Sequence, residues 1–396
     1  MHETGDPGMK TIYMDHNATT PTDPRVLEAM LPYFRERFGN PSSPYSLAHG
    51  PRRALDGARE SVAKCLGCAP EDIVFTGCGS ESDNMAIQGV CALCEGPPGH
   101  IVTSSIEHHA VLHTCERMER CGWDVTYLGV SDGGLVSVDD VERALRRDTR
   151  LVTIMHANNE VGTIQPLEAI GELTRARGVP FHSDAVQGVG KIPVSVDALG
   201  VDLLSLSAHK FHGPKGVGAL YVRPGTRVAA ITFGGQQERG LRPGTENVPG
   251  IVGLAAALSI AVDEMPETME RLEAMTSRLT DGILSRIDGV LVNGDERHRI
   301  PGTVNLSFPG IEGESIVLGL DMEGVAVSTG SACTTDAVGP SHVLQAMGIP
   351  PNAAQGSVRF GLGRRTVDQD IDHVLAVLPG IVERLRAMSP FSSGGE

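Results

Sequence analysis

The chain has 396 residues, of which 40% are hydrophobic, and its 33 Lys and Arg against 49 Asp and Glu give a formal net charge of −16. This content is enough to build large buried cores, whereas the negative charge disfavours binding to nucleic acid or anionic lipid. No apolar run approaches the roughly 20 residues that span a bilayer, and the opening MHETGDPGMK lacks the features of a secretion signal. We therefore expect a globular, cytoplasmic enzyme with no nucleic-acid or membrane partner.

Short apolar runs alternate with amphipathic stretches from about residue 70 to 225, a rhythm typical of repeated βα units in a mostly parallel sheet. Several runs are apolar on both faces, which suits a sheet covered by helices on both sides. The seven predicted strands are Ile73–Thr76, His100–Ser104, Val125–Val130, Leu151–Ala157, Pro180–Ser183, Asp202–Ser205 and Gly218–Val222. The predicted helices between them are Glu81–Val90, His109–Gly122, Val138–Leu145 and Leu167–Arg177.

A Gly-rich stretch at 234–250 precedes one long helical pattern, roughly Pro249–Arg286, which would lead into a smaller α+β unit. We expect residues 1–15 to be an N-terminal segment of the small domain, 16–260 to form the large domain, and 261–396 to form the small domain. The elements predicted after the long helix are strand Thr303–Phe308, helix Glu314–Met322, a short strand near Val325, a helix near Ser341–Met347, strand Ser357–Gly361 and helix Asp368–Ala387.

Eight cysteines are too sparse in a chain of this length to form a disulfide framework. One alternative is a zinc site, because Cys65, Cys68, Cys91 and Cys94 have the CxxC…CxxC pairing of structural zinc ligands. Both pairs lie in helix-like stretches rather than on the tight turns of zinc knuckles. Packing as small core residues is the favoured interpretation, and no resident metal is expected.

The most informative segment is SLSAHKFHGPKGVGALYV, in which Lys210 follows an apolar strand and enters a Gly-rich turn. A lysine at a strand end is usually a solvated surface residue. Here Ser207 and His209 flank it with hydrogen-bonding groups suited to a phosphate, and the glycines let the backbone approach a ligand closely. Together these neighbours indicate a lysine that forms a covalent bond to a cofactor.

Two further segments fit the same kind of site. In VPFHSDAVQ, Asp184 and Gln187 end another apolar strand, and in pyridoxal-phosphate (PLP) enzymes a carboxylate pairs with the pyridinium nitrogen. A helix cap is the alternative role for Asp184. In FTGCGSESDN, Gly79 and Ser80 begin a helix, where unpaired N–H groups and the helix dipole favour a phosphate.

The chain resembles the cysteine desulfurases, fold-type-I PLP enzymes of the class-V aminotransferase superfamily, and in particular their NifS/IscS-type branch. The resemblance covers nearly the whole length. It rests on the ordered blocks YMDHNATTPTDPRV, SIEHHAV, MHANNEVGTIQP, HSDAVQ, SLSAHKFHGPKG, RPGTEN, STGSAC and SVRFGLG. It implies an α/β fold with a large, mostly parallel seven-stranded sheet and a smaller α+β domain.

The resemblance also implies a role for each matching residue. Lys210 carries PLP, Asp184 binds its pyridinium nitrogen, and His108 stacks on the ring and handles protons. Arg359, together with Asn159, binds the substrate carboxylate, which guanidinium geometry suits. The other implied cofactor contacts are ring contacts from Asn159 and Gln187, phosphate contacts from Gly79, Ser80, Ser207 and His209, and a contact of Thr245 with the cofactor phosphate of the neighbouring subunit in a homodimer.

Cys333 is the implied nucleophile. Its surroundings, STGSACTTDAVGPS, are small, polar and Gly-containing, the composition of an accessible loop. The implied reaction converts L-cysteine to L-alanine and leaves a persulfide on Cys333 for an iron–sulfur scaffold, with nitrogenase as one destination, or for another sulfur-acceptor protein. Cys333 would contact an iron–sulfur cluster only transiently. Cys78, where relatives often carry Gly, is expected to pack rather than react.

Two other function classes compete with this interpretation. One is a different PLP enzyme on the same fold, such as an aminotransferase or a selenocysteine lyase, which needs no nucleophilic cysteine. The other is a non-catalytic scaffold for sulfur-transfer complexes. The cysteine in STGSAC disfavours the first, and the presence of Lys210, Asp184, His108 and Arg359 disfavours the second.

Overall fold

The computed structural model describes residues 11–329 and 340–389. The helices in these ranges are α1 (Pro24–Met30), α2 (Pro32–Arg35), α3 (His49–Leu66), α4 (Gly79–Cys91), α5 (His109–Arg120), α6 (Val138–Ala144), α7 (Leu167–Arg177), α8 (Val248–Asp263), α9 (Met265–Leu284), α10 (Gly313–Met322), α11 (His342–Ala346), α12 (Pro351–Ala354) and α13 (Asp368–Met388). The strands are β1 (Ile12–Tyr13), β2 (Ile73–Thr76), β3 (His100–Ser104), β4 (Asp124–Leu128), β5 (Thr149–Thr153), β6 (Phe181–Asp184), β7 (Leu203–Ser207), β8 (Gly218–Val222), β9 (Leu291–Asn293), β10 (Thr303–Ser307), β11 (Val325–Ala326), β12 (Ser328–Thr329) and β13 (Ser357–Gly361).

The large sheet has seven strands in the order β2-β8-β7-β6-β5-β3-β4. Each of the seven strands predicted from the sequence lies in it, so this part of the prediction is confirmed. All neighbouring strands are parallel except β8, which runs antiparallel to both β2 and β7. The connection from β7 to β8 contains only a short 3-10 turn, Ala208–Lys210, and an antiparallel pair needs no crossover helix.

Successive residues of most strands are buried on opposite faces of this sheet, even in the edge strand β2, because strand side chains alternate. Phe75 packs in the same core as Leu55 of α3 and Leu254 of α8. Val74, its neighbour, packs on the other face with residues of α4 and α5 such as Met85. Burial on both faces explains why the strands appear in the sequence as continuous apolar runs.

The second sheet is antiparallel, has the order β12-β13-β10-β9, and packs against α9, α10 and α13. The N-terminal strand β1 pairs in parallel with β11 beside this unit. The chain then continues along β13, where the amide of His16 donates to the carbonyl of Gly361. Residues 11–16 therefore contact the C-terminal unit, although the domain boundaries themselves stay a prediction.

The single long helix predicted for Pro249–Arg286 was wrong. Two helices, α8 and α9, meet there at a bend of 68°. Pro266 lies in the first turn of α9, where its missing N–H is tolerated, but the preceding chain cannot continue as a straight helix through it. Glu264 at the junction forms ion pairs with Arg25 and Arg364, each at 2.6 Å. The predicted strand Leu151–Ala157 is also shorter, since β5 ends at Thr153.

The two CxxC pairs do not meet. Cys65 and Cys68 pack against the core shared by α3 and α8, whereas Cys91 and Cys94 belong to the core on the other face of the sheet. Across residues 11–329 and 340–389, no group of three or more His, Cys, Asp or Glu is arranged to hold a metal ion. In the same ranges no single helix is long and apolar enough to cross a membrane; α8 and α9 pass that test only jointly, as the bent pair.

Candidate active site

A cavity of about 270 Å³ lies beside the segments that follow β2, β3, β5, β6 and β7. Such crevices at the carboxyl ends of parallel strands are the usual ligand sites of open α/β sheets. Ten of the residues predicted from the sequence line it: Gly79, Ser80, His108, Asn159, Asp184, Gln187, Ser207, His209, Lys210 and Arg359. The same cavity is also lined by Asn17, Ala18, Cys78, Asp83, Met155, Ala157 and Val186.

Lys210 lies at the end of the 3-10 turn that follows β7. Its Nζ donates to the backbone carbonyls of Asn17 at 2.6 Å and Ala18 at 2.9 Å. The next residues along the N-terminal segment bind the same turn, since the Thr20 amide donates to the carbonyl of His209 and the His209 ring contacts the Thr19 hydroxyl at 3.0 Å. The lysine is thus held at the cavity by a segment about 190 positions away in sequence.

Asp184 ends β6 and is 6% exposed, with Oδ1 accepting a hydrogen bond from the Val186 amide at 2.9 Å. A second carboxyl, Asp83 of α4, is 1% exposed beside it. Burial raises the pKa of both, and the Asp184 charge raises the pKa of Asp83 further. Oδ1 of Asp83 has no hydrogen-bond partner among the described residues and lies 3.6 Å from Nε2 of His182.

This buried acidic pair fits a cofactor that brings a positive charge. A protonated pyridine nitrogen beside Asp184 would favour the ionised carboxylate, which burial alone disfavours. Neutral surroundings would leave the protonated carboxyl favoured. The residues present therefore fit the pyridinium group of PLP.

The N-terminus of α4 fits the phosphate end. Its N-cap, Cys78, makes no side-chain capping bond, so the first N–H groups of the helix remain available at the cavity. A Cβ on Gly79 would lie 2.6 Å from Cγ2 of Val186, so only glycine lets the helix start this close to the β6 segment. Ser80, Ser207 and His209 add polar side chains at the same cavity.

His108 caps α5 by accepting a hydrogen bond from the Ala110 amide at Nδ1, 3.1 Å away. A nitrogen that accepts an N–H carries no proton, so the ring must be neutral with its proton on Nε2. Burial, followed by the charge of Lys210, lowers the pKa of His108 to about 4. His108 therefore stays neutral throughout the physiological pH range and presents an N–H donor at Nε2.

Arg359 lies in β13 and is 1% exposed. Its Nη2 donates to Oδ1 of Asp15 at 2.7 Å, and its Nη1 donates to the carbonyl of Asn159 at 3.0 Å. The Nδ2 group of Asn17 reaches the same Asn159 carbonyl at 3.2 Å. The guanidinium is thus fixed at the cavity by two segments that carry other cavity residues.

Two predicted residues are not placed in the cavity. Thr245 is exposed and does not line it, and the role implied for it concerns a neighbouring subunit. Cys333 lies outside the described residues. Beyond that segment, Ser341 donates to the buried carboxyl of Glu160, and His342 lies 3.0 Å from the carbonyl of Glu107. The two residues contacted, Glu160 and Glu107, are the sequence neighbours of Asn159 and His108.

Sequence reasoning assigned no role to Asp15, Asn17, Asp83 or Lys191, although all four contact predicted site residues or line the cavity. Asp15 and Asn17 fall in the DHNATTP block, which carried the resemblance without a role for either residue. Their partners among the predicted site residues are 142 to 344 positions away. No local pattern could have indicated these contacts.

Comparisons with known proteins agree with the geometry. The aminotransferase class-V family model matches residues 12–374. A protein of Dictyoglomus turgidum named cysteine desulfurase IscS is 49% identical over 382 residues, which is 96% of this chain and 97% of the relative. A solved NifS-like protein superposes with a TM-score of 0.90 at 41% identity, covering 95% of this chain and 100% of that one.

A structure described as SspA in complex with cysteine matches with a TM-score of 0.80 at 39% identity, over 90% of this chain and 100% of that one. The family model, the relatives and the solved structures thus indicate the same family over nearly the whole chain. The chain belongs to the class-V aminotransferase family and, within it, to the PLP-dependent cysteine desulfurases of the NifS/IscS type.

Proposed function

We propose that the cavity around Lys210 is where this cysteine desulfurase acts on L-cysteine. The observation that carries the proposal is the convergence of Lys210, Asp184, His108 and Arg359, from four separate segments, on one cavity. When bound there, PLP supplies an electron-withdrawing ring that stabilises negative charge on the substrate Cα. The roles below are those of the protein's own groups.

Four sets of contacts would hold the cofactor. Lys210 holds it covalently through Nζ, and Asp184 pairs with the ring nitrogen. Asn159 and Gln187 contact ring substituents. The α4 N-terminus and the polar groups of Gly79, Ser80, Ser207 and His209 would hold the phosphate, because N–H donors and the helix dipole favour an anion.

Arg359 binds the carboxylate of L-cysteine. Its contacts with Asp15 and Asn159 use two of the five guanidinium N–H groups and set its orientation, so donors remain for a second carboxylate. Lys210 takes the Cα proton of the substrate at Nζ. His108 is neutral and carries a proton on Nε2, so it can donate to a substrate or cofactor atom at this face.

Sulfur transfer is assigned to Cys333. Its thiolate attacks the substrate sulfur, so that an S–S bond forms as the substrate C–S bond breaks. The substrate Cβ keeps the electron pair of the broken bond and takes up a proton, and Cα regains its proton from Lys210, so that L-alanine is released while Cys333 keeps the sulfur as a persulfide. The persulfide is then passed to an acceptor protein, for which an iron–sulfur scaffold is the proposed class.

Assembly and location are further parts of the proposal. Thr245 is exposed, and a homodimer would place it against the cofactor phosphate of the neighbouring subunit. Several large apolar side chains of residues 27–47 are also exposed and would suit such an interface. The cytoplasmic location stays a prediction from the sequence.

The test is a Cys333→Ala variant compared with a Cys78→Ala control, which removes the exposed thiol that lines the cavity. Cys333→Ala should bind PLP and change its visible spectrum when L-cysteine is added, yet release no alanine and retain no protein-bound sulfur. Cys78→Ala should behave like the wild type. An aminotransferase or lyase would be unaffected by Cys333→Ala, so undiminished alanine release would refute the assignment.

A further inference from the structure

Lys191 is a partly buried lysine that the proposed mechanism does not use. It lies in the turn after Gln187, and its Nζ donates to Oε1 of Gln187 at 2.6 Å and contacts Oδ1 of Asn17 at 3.4 Å. No carboxylate forms an ion pair with it among residues 11–329 and 340–389. Among the described residues, both hydrogen-bond partners of this ammonium are thus neutral amide oxygens, an unusual setting for a buried charge.

The contact with Lys191 decides which way the Gln187 amide faces. An amide has an acceptor oxygen on one side and a donor NH2 on the other, whereas an ammonium only donates. The oxygen must therefore face Lys191. Reversal would place the NH2 group against the ammonium and the oxygen against the carbonyl of Asn17, so that both hydrogen bonds would be lost together.

The other end of the amide contacts the backbone of Asn17, a residue that lines the cavity. Nε2 of Gln187 donates to the Asn17 carbonyl at 2.8 Å, and the same carbonyl accepts from Nζ of Lys210 at 2.6 Å. A continuous chain of hydrogen bonds therefore runs from Lys191 through Gln187 and Asn17 to Lys210. Lys191, which only donates, and the Asn17 carbonyl, which only accepts, lie at opposite ends of the Gln187 amide and together hold it in one orientation.

We propose that Lys191 is a positioning residue, which fixes the side chain of Gln187 so that its NH2 group, and not its oxygen, is presented to the cofactor. This inference rests on the proposed contact between Gln187 and a ring substituent of PLP. Gln187 then acts as a hydrogen-bond donor to a cofactor oxygen, which favours the ionised form of that oxygen.

The charges around Lys191 support a role as a donor rather than as a counter-ion. Lys210 and Arg359 face it, and burial together with these two cations lowers the pKa of Lys191 to about 7. His16 and His209 also face it, and the Lys191 charge contributes to the lowered pKa of each. A neutral amine has a lone pair as well as N–H donors, so above this pKa the Asn17 carbonyl, which only accepts, keeps the Gln187 amide in the same orientation.

The first test compares Lys191→Met, which removes the donor, with Lys191→Arg, which keeps a donor-only group. Apo-proteins are titrated with PLP, and the pH midpoint of the visible absorption band is measured on the holoenzymes. For Lys191→Met we expect the PLP dissociation constant to rise about fivefold, the effect of one hydrogen bond, and the midpoint to move up by about half a pH unit. Lys191→Arg should stay close to the wild type in both.

Coupling to Gln187 provides the second readout. In a Gln187→Ala background, adding Lys191→Met should change neither quantity further, because the group that Lys191 orients is gone. If the two single effects simply add, or if Lys191→Met lowers only the melting temperature, the proposal is overturned. A purely structural lysine would give that outcome.

The third variant, Gln187→Glu, needs no change at Lys191 and so remains informative if Lys191→Met fails to fold. It keeps an oxygen toward Lys191 and replaces the cavity-facing NH2 with an oxygen. We expect Gln187→Glu to lose PLP affinity and to shift the absorption band as Lys191→Met does. If PLP affinity and the band are unchanged, an acceptor faces the cofactor and the inference is overturned. If Gln187→Ala itself has no effect on PLP binding or spectrum, the proposed contact of Gln187 fails, independently of Lys210 and Cys333.

Discussion

Replacing Arg359 with lysine should weaken the use of L-cysteine without removing the positive charge. The guanidinium is 1% exposed and already serves Asp15 and the Asn159 carbonyl, while its Nε has no hydrogen-bond partner among the described residues. A lysine ammonium in this place could bind Asp15 and the Asn159 carbonyl, or it could bind the substrate carboxylate. It could not do both, because it lacks the planar pair of donors with which a guanidinium binds a carboxylate. The expected loss is one charge-assisted hydrogen bond, about 2 kcal/mol, or roughly 30-fold in kcat/KM.

Steady-state alanine release at varied L-cysteine measures this effect, and PLP content is checked first so that each variant is compared fully loaded. Arg364→Lys is the matched control, because Arg364 also forms ion pairs, with Asp23 and Glu264, but does not line the cofactor cavity. The loss should fall mainly on KM for Arg359→Lys and be small for Arg364→Lys. Equal kinetics for Arg359→Lys and the wild type would place the substrate carboxylate elsewhere.

Three further predictions follow from the same contacts. Lys210→Ala should abolish turnover and the borohydride-fixed PLP adduct, read by peptide mass spectrometry; an adduct on Lys191 in the wild type would contradict the assignment. Cys78, exposed at the α4 N-terminus, should be alkylated by iodoacetamide more slowly with PLP bound, and equal rates in apo-protein and holoenzyme would place the phosphate away from this helix. Burial raises the pKa of Glu160 to about 7. Between about pH 4.5 and 7 the folded protein therefore keeps a proton that the unfolded chain has lost. The free energy of unfolding falls as pH rises through that window. Glu160→Gln should therefore gain stability relative to the wild type from pH 5 to pH 8, by on the order of 3 kcal/mol in denaturant unfolding; parallel curves would contradict a neutral Glu160.

The large sheet could be predicted from the sequence because its strands are buried on both faces and appear as uninterrupted apolar runs. The antiparallel direction of β8 could not be predicted, since the alternation of strands and helices gives no direction where a short turn replaces a helix. The break between α8 and α9 had a signal in Pro266, but the apolar pattern on either side was read as continuous. Helix α3 also had a signal, with Leu55 and Val62 buried on one face and Gly67 ending it at φ +76°, but no element was predicted there.

Gly79, Ser80, Asp184 and Lys210 could be predicted from the residues themselves because they lie at or just after strand ends, and the strand ends of a parallel sheet meet at one edge. The roles of His108, Asn159 and Arg359 were implied only by the resemblance. The contacts that orient those residues could not be predicted. Asp15 reaches Arg359 across 344 positions, and Lys191 reaches Gln187 from the next turn, where a lysine looks like a solvated surface residue. A motif indicates which groups bind a ligand, whereas their orientation depends on distant neighbours that only the fold brings together.

The N-terminal segment, residues 11–20, has a consequence for how the protein is made. It pairs with β11 and β13 in the C-terminal unit and also supplies the carbonyls that hold Lys210. During synthesis these residues leave the ribosome before any of those partners exists, and contacts across such separations form late because loop closure is costly. The large sheet can assemble on the ribosome, but the cavity closes only after β13 has been synthesised. Stable capture of the cofactor therefore requires β13, whereas the contacts of the same segment with the Lys210 turn can form as soon as that turn has been synthesised.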